Sequence, residues 1–315
     1  MRILNGVADY EVCEPNFESL RLAVNYIGEN YSSHYLHGIS GTVFRIGGIC
    51  PCAPTCTVAL SPQKLLDLLG YEYSEIPYGV EIKEMTDAVC ESVDRGIPVL
   101  VWNAFSFCEW DIVTGYDENE KVFYGRSSYN GSKGEYTKMA WDNTRNAGAS
   151  NGVMALIIGN KTKEFDHENA EIAAVKEAVR HANDIENVDK LDDNEWVFLQ
   201  GKAAYKRWVS DFSKPETKRG MGDAYCIGIY SSCHGKAGDF LREIAPKYKT
   251  ADDPLTKAAE FFDKEVEYLK ELIPLLSWSS PEADAKRNEQ ASGLLDKAFD
   301  NYCMAIDLLS NVNLS

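Results

Sequence analysis

The segment from Gly96 to Gly125, GIPVLVWNAFSFCEWDIVTGYDENEKVFYG, narrows the folds open to this chain more than any other. Three short apolar runs follow one another there: Pro98 to Trp102, Trp110 to Thr114, and Lys121 to Tyr124, the last two joined by a turn over Gly115 to Asn119. Strands joined by such short connections pair antiparallel. The run Ile82, Met85, Val89, Val93 predicts a helix from Val80 to Arg95, ended by Gly96. Another apolar strand is expected over Val153 to Ile158. Upstream, Phe17, Leu20, Val24 and Ile27 recur at helical steps and predict a helix over Asn16 to Asn30 with Asn16 as N-cap. Ser61-Pro62 starts a short helix through Leu69. Residues 31–60 are aromatic and rich in Gly and Pro, and read as a long structured loop or a pair of short strands.

From Phe165 the hydrophobic period becomes helical and stays so. One helix is marked by Ile172, Val175, Val179 and Ala182; others are expected over Trp196 to Phe212 and Asp223 to Tyr248. Leu255, Ala259, Phe262, Val266, Leu269, Ile273 and Leu276 form a stripe, as do Ala291, Leu295, Ala298, Tyr302, Ala305 and Leu309. Stripes of this kind build bundle cores. The expected class is therefore α+β: a domain with a small antiparallel sheet over residues 1–160, then an all-α helical bundle over 161–315. The last two stripes suit an interface as well as a core, which makes a homodimer through the C-terminal helices an expectation to test.

The net charge of −17 bears on partners. Acidic residues outnumber basic ones in both halves, so no basic surface is available to neutralise phosphates, and nucleic acid is excluded as a partner. Arg2-Ile3-Leu4-Asn5-Gly6 does not begin a leader, and no apolar run is long enough to span a bilayer. A cytoplasmic location without membrane partners is expected. The nine cysteines, irregularly spaced, then read as thiols, ligands or a nucleophile rather than a disulfide framework.

Four groups of residues can carry chemistry. Cys13 precedes the first helix, where unpaired amides and the helix dipole stabilise a thiolate; the alternative is a buried small side chain. Cys50, Cys52 and Cys56, near His34 and His37, invite a zinc reading, but their one- and three-residue spacings are not those of a metal knuckle, so no metal and no cofactor is expected. Glu109 and Asp111 flank Trp110 and share a strand face, where burial makes a carboxyl an acid or base and exposure leaves it inert. In the third bundle helix, Cys226 and Cys233 share a face beside Gly228, Ser231, Ser232, Gly235 and Gly238; close helix packing or room for a ligand explains them. Arg45, inside GTVFRIGG, seeks an anion, either a substrate or an internal carboxylate.

The order of these features resembles a known family. A cysteine before a helix, the loop GISGTVF followed by CPCAP, a helix, GIPVLV and then DIVTGYDE are similar to the papain-like fold of C39-type cysteine peptidase relatives, above all proteins with a butirosin-H N-terminal domain. The similarity covers residues 10–160, with the bundle matching loosely. It implies a papain-like N-terminal domain and hydrolysis of amides or thioesters, or acyl transfer from a carrier-protein thioester to an amine. Cys13 then falls at the nucleophile, and the position expected to hold histidine carries Glu109, with Asp111 as support. The substrate expected is a small molecule or an acyl group on an acyl carrier protein. The alternative is an inactive relative that binds a small ligand between its two domains, lined by Arg45, Trp102, Glu109 and the helix of Cys226 and Cys233.

Overall fold

The strands expected between Gly96 and Gly125 form, and they build the middle of a sheet. A computed structural model describes the chain except for residues 50–60, 130–133, 146–152, 192–196, 219, 277, 280–281 and 315. In chain order the elements are β1 (Arg2–Ile3), α1 (Pro15–Tyr26), α2 (Ser33–Ile39), β2 (Gly47–Ile49), α3 (Pro62–Leu69), β3 (Tyr71–Pro77), α4 (Ile82–Asp94), β4 (Val99–Trp102), β5 (Trp110–Asp117), β6 (Val122–Arg126), β7 (Thr137–Ala140) and β8 (Val153–Lys161). There follow α5 (His167–Ala182), β9 (Phe198–Gln200), α6 (Gly201–Phe212), α7 (Met221–His234), α8 (Ala237–Ile244), α9 (Asp252–Leu272) and α10 (Ala285–Ser310). The chain is thus mixed α and β, and no described helix is long and apolar enough to cross a membrane.

Two compact units result. The first is Met1–Leu36 with Leu60–Asp166; the second is His37–Ala59 with His167–Ser315. This differs from a single cut near residue 160. A boundary drawn from composition along the chain does not see that residues from 37 onward leave the first unit. Within the second unit Val43 and Phe44 are fully buried, and the Phe44 ring lies 6.1 Å from Phe240 and 5.4 Å from Phe262. A Cβ at Gly38 would collide with the Phe240 ring, so only glycine permits that approach.

The first unit carries a seven-stranded antiparallel sheet in the order β3-β8-β4-β5-β6-β7, with β1 pairing β5. In the β4–β5 register Val101 faces Asp111 and Trp102 faces Trp110. Met85, Val89 and Val93 of α4 pack with Val99, Val101 and Val113, which makes this the apolar face of the hairpin. The helix α1 packs across β5 and β4.

In the second unit α9 and α10 form the main helix pair, flanked by α6, α7 and α8. The stripes are buried within α9 and α10, where Leu255, Phe262, Leu269, Leu295 and Tyr302 have no exposed surface, but α9 ends at Leu272 and the last two residues of its expected stripe fall outside it, Ile273 exposed and Leu276 half-buried. The helix expected over Asp223 to Tyr248 breaks into α7 and α8 at Gly235 and Lys236. That expected from Trp196 starts only at Gly201, after β9, because φ is +55° there and a Cβ would strike the backbone of His181 and Ala182. The interval 31–60 was read as loop or strands; its described part holds α2, a 3-10 turn over Thr42–Phe44 and β2.

Candidate functional site

Helix α1 is capped by Glu14, not Asn16. Glu14 takes extended backbone angles (φ −144°, ψ 103°), and Pro15 fills the first helical position. Its carboxylate accepts from the amides of Asn16 at 3.2 Å and Phe17 at 2.7 Å. Its carbonyl accepts from the Glu18 amide at 3.3 Å. Pro15 has no N–H to offer. The donors of the first turn are therefore consumed by a residue of the chain itself. The expectation that unpaired amides stabilise a thiolate at Cys13 does not hold for Asn16 and Phe17, because a carboxylate already occupies them.

Cys13 sits just outside that cap, half-buried. Burial pushes its thiol above the ordinary range, the charge of Glu109 pushes it further, and Glu14 adds to both. A hydrogen bond from the Tyr129 hydroxyl acts the other way without reversing the result. Desolvation and like charge both disfavour the thiolate. Of the expected pair, then, burial first and the charge of Glu109 second push the Cys13 thiol up rather than down.

Glu109 lies one residue outside β5, so strand alternation does not extend to it. Cys108 before it has φ +59°, and Asn103 has φ +60°. These two left-handed residues close a tight loop. The Asn103 amide donates to Glu109 O at 2.7 Å and the Cys108 amide to Asn103 Oδ1 at 2.9 Å. Asn143 clamps the loop from outside, donating to Asn103 O at 2.9 Å and accepting from Asn103 Nδ2 at 2.6 Å.

Asp111 has a different task from the one expected. It lies within β5 opposite Val101 and has no exposed surface. One oxygen accepts from the amides of Phe105 (2.7 Å) and Ser106 (2.9 Å) and from the Ser106 hydroxyl (2.9 Å). The other has no hydrogen-bond partner. Burial raises its pKa to about 7 against the pull of these donors. Asp111 therefore ties down the loop that ends in Glu109; the charges that act on the thiol come from Glu109 and Glu14.

The other candidates are placed as follows. Trp102 forms a cross-strand pair with Trp110, rings 5.7 Å apart and nearly perpendicular. Arg45 belongs to the second unit and has found an internal carboxylate, Glu177, at 2.9 Å. Cys226 and Cys233 are buried thiols of α7 in the same unit, the placement of small core side chains. The glycines of the set do not share one reason: a Cβ at Gly238 would meet the carboxylate of Asp263 on α9, whereas one at Gly228 would meet nothing within 4 Å. Cys50, Cys52 and Cys56 lie outside the described residues, among which no cluster of metal-binding side chains occurs. A cleft of about 450 Å³ in the second unit is lined by His167, Glu168, Glu171, Lys247 and Tyr248, and its Tyr248 donates to Glu171 at 3.1 Å.

Two residues of the site were missed from sequence. Glu14 was legible, since a carboxylate followed by proline before an apolar helical run marks an N-cap. Tyr129, in a polar loop, gave no signal. No family model matches the chain, and comparison with curated proteins finds no match.

Proposed function

We propose that this protein is a non-catalytic relative of the papain-like, butirosin-H-type proteins, and that it binds a small amine-bearing molecule beside Cys13. The observation that carries the reading is the Glu14 carboxylate on the Asn16 and Phe17 amides. A papain-like enzyme needs a thiolate and preorganised donors for the oxyanion. Here the donors are taken and the thiol is held protonated. What remains is a site of negative potential, with Glu109 and Glu14 around Cys13 and Tyr129 two-fifths exposed at its rim. Carboxylates and an aromatic face suit an ammonium group.

A thioester acyl probe tests this directly. The expected result is no labelling at Cys13 above that of the Cys13→Ala variant. Titration with propylammonium, followed by the NMR signals of Tyr129, should show saturable shifts that Glu109→Gln abolishes.

A second reading, cysteine-dependent acyl transfer or hydrolysis on a small-molecule or carrier-bound acyl substrate, keeps Cys13 as nucleophile and rests on the hydrogen bond with Tyr129, which lowers the thiol pKa. In it Glu109 would accept the thiol proton. Rapid acylation of Cys13 that is lost in Glu109→Gln would establish that reading in place of the first.

A further inference from the structure

The cleft of about 450 Å³ in the second unit is built by two segments of different character. One is the start of α5, where Ala170, Glu171 and Ala174 are buried and Glu168 stays in solvent. The other is the link from α8 to α9. Its buried residues, Ala245, Tyr248 and Ala251, recur at every third position, the period of a 3-10 turn, so Lys247, Lys249 and Thr250 stay exposed between them. The link is tied along its length: the Tyr248 amide donates to Ala245 O at 3.0 Å and the Ala251 amide to Tyr248 O at 2.8 Å. Thr250 anchors it further, its hydroxyl donating to Asn313 O at 3.3 Å.

Glu171 joins the two segments. It is 1% exposed, yet it lines the cleft. One of its oxygens accepts from Lys247 Nζ at 2.5 Å and the other from the Tyr248 hydroxyl at 3.1 Å. These bonds hold one wall against the other and set the charge of Lys247 against that of Glu171. The cleft is therefore formed before anything enters it, which spares a ligand the cost of ordering it.

Two charges of the lining remain. Among the described residues neither Lys249 nor Glu168 takes part in an ion pair. They have opposite signs and come from opposite segments. A simple anion drawn to Lys249 would meet the carboxylates of Glu168 and Glu171. A simple cation drawn to Glu168 would meet the ammonium groups of Lys247 and Lys249. Each is disfavoured by the like charge it meets. A molecule that carries both signs has a partner for each.

We propose that this cleft binds a small zwitterion, a free amino acid, with its carboxylate on Lys249 and its ammonium group on Glu168. Both contacts are charge-assisted hydrogen bonds, the stronger kind. The volume falls in the range of small-molecule sites, about 300–1,000 Å³. The Tyr248 ring, also in the lining, offers an apolar surface to the carbon atoms of the ligand. Binding here does not depend on Cys13, which belongs to the first unit.

The test is an NMR titration of the full chain with L-alanine, following the backbone amides of Glu168, Tyr248, Lys249 and Thr250. Propionate and propylammonium serve as controls that carry one charge each. Expected are saturable shifts of these amides with L-alanine, and binding of either control weaker by about tenfold or more. Lys249→Met and Glu168→Gln each remove one charge at an exposed position, where substitutions cost little stability. Each should weaken the binding of L-alanine by about tenfold or more. Absence of saturable shifts, unchanged binding of L-alanine in either variant, or a single-charge control that binds as tightly as L-alanine overturns the proposal.

Discussion

The surroundings of Cys13 in the first unit and those of His234 in the second treat charge in opposite ways. At Cys13 the neighbouring carboxylates, Glu109 and Glu14, have the same sign as the charge the thiol would acquire, and they suppress it. At His234 the buried carboxylate of Glu265 has the opposite sign, and it raises the ring's pKa although burial alone would lower it. Both groups are desolvated; the sign of the partner decides the outcome. The lesson is that a reactive residue type near an ionisable partner is not yet a catalytic pair. Histidine beside cysteine makes a thiolate, and glutamate in that position unmakes one.

The comparison breaks most visibly at Glu265. Glu265→Ala removes the buried partner of both the His234 ring and the Tyr205 hydroxyl and should destabilise the chain by about 3–5 kcal/mol, read by urea unfolding of the full protein. If the loss is below about 1 kcal/mol, as for an exposed pair, then neither group depends on that carboxylate. Next comes Asp111. A carboxyl raised to about 7 keeps in the folded state a proton that the unfolded chain releases near pH 4, so its ionisation costs stability as pH rises between those values. Asp111→Asn should therefore gain on wild type by on the order of 2–4 kcal/mol between pH 4 and pH 8. Parallel stability curves would show that Asp111 is ionised throughout. Glu14→Ala is the smallest in stability, about 1 kcal/mol for a lost cap. It also removes one of the charges that hold the Cys13 thiol up and opens the Asn16 and Phe17 amides, so alkylation of Cys13 at pH 8 should become several-fold faster.

How far the sequence spoke depended on the range of the interaction. Period and turn chemistry are local, and they located β4, β5, β6 and β8, the burial of the α9 and α10 stripes, and the end of α4 at Gly96. Short, half-polar elements such as β3, β7 and β9 escaped, because a strand of few residues with exposed side chains carries no periodic signal. The placement of residues 37–49 in the second unit was invisible for another reason. It rests on contacts between Phe44 and side chains about 200 residues later, and on glycine at 38 where Phe240 presses close. At the site, that the charge of Glu109 acts on the Cys13 thiol was legible only as an expectation of the resemblance. The separation of Glu109 from Asp111 was not, since it depends on two left-handed residues, Asn103 and Cys108, that neither Gly nor Pro announces.

The central claim is that Cys13 is kept as a thiol. The most direct measurement is the pH dependence of the rate at which iodoacetamide alkylates Cys13, followed by peptide mass spectrometry in wild type and Glu109→Gln. The account predicts an apparent pKa above that of an ordinary cysteine, about 8.5, falling toward it when Glu109 is neutralised. A wild-type value below about 7, in the range of activated thiols, with no fall in Glu109→Gln, would contradict it.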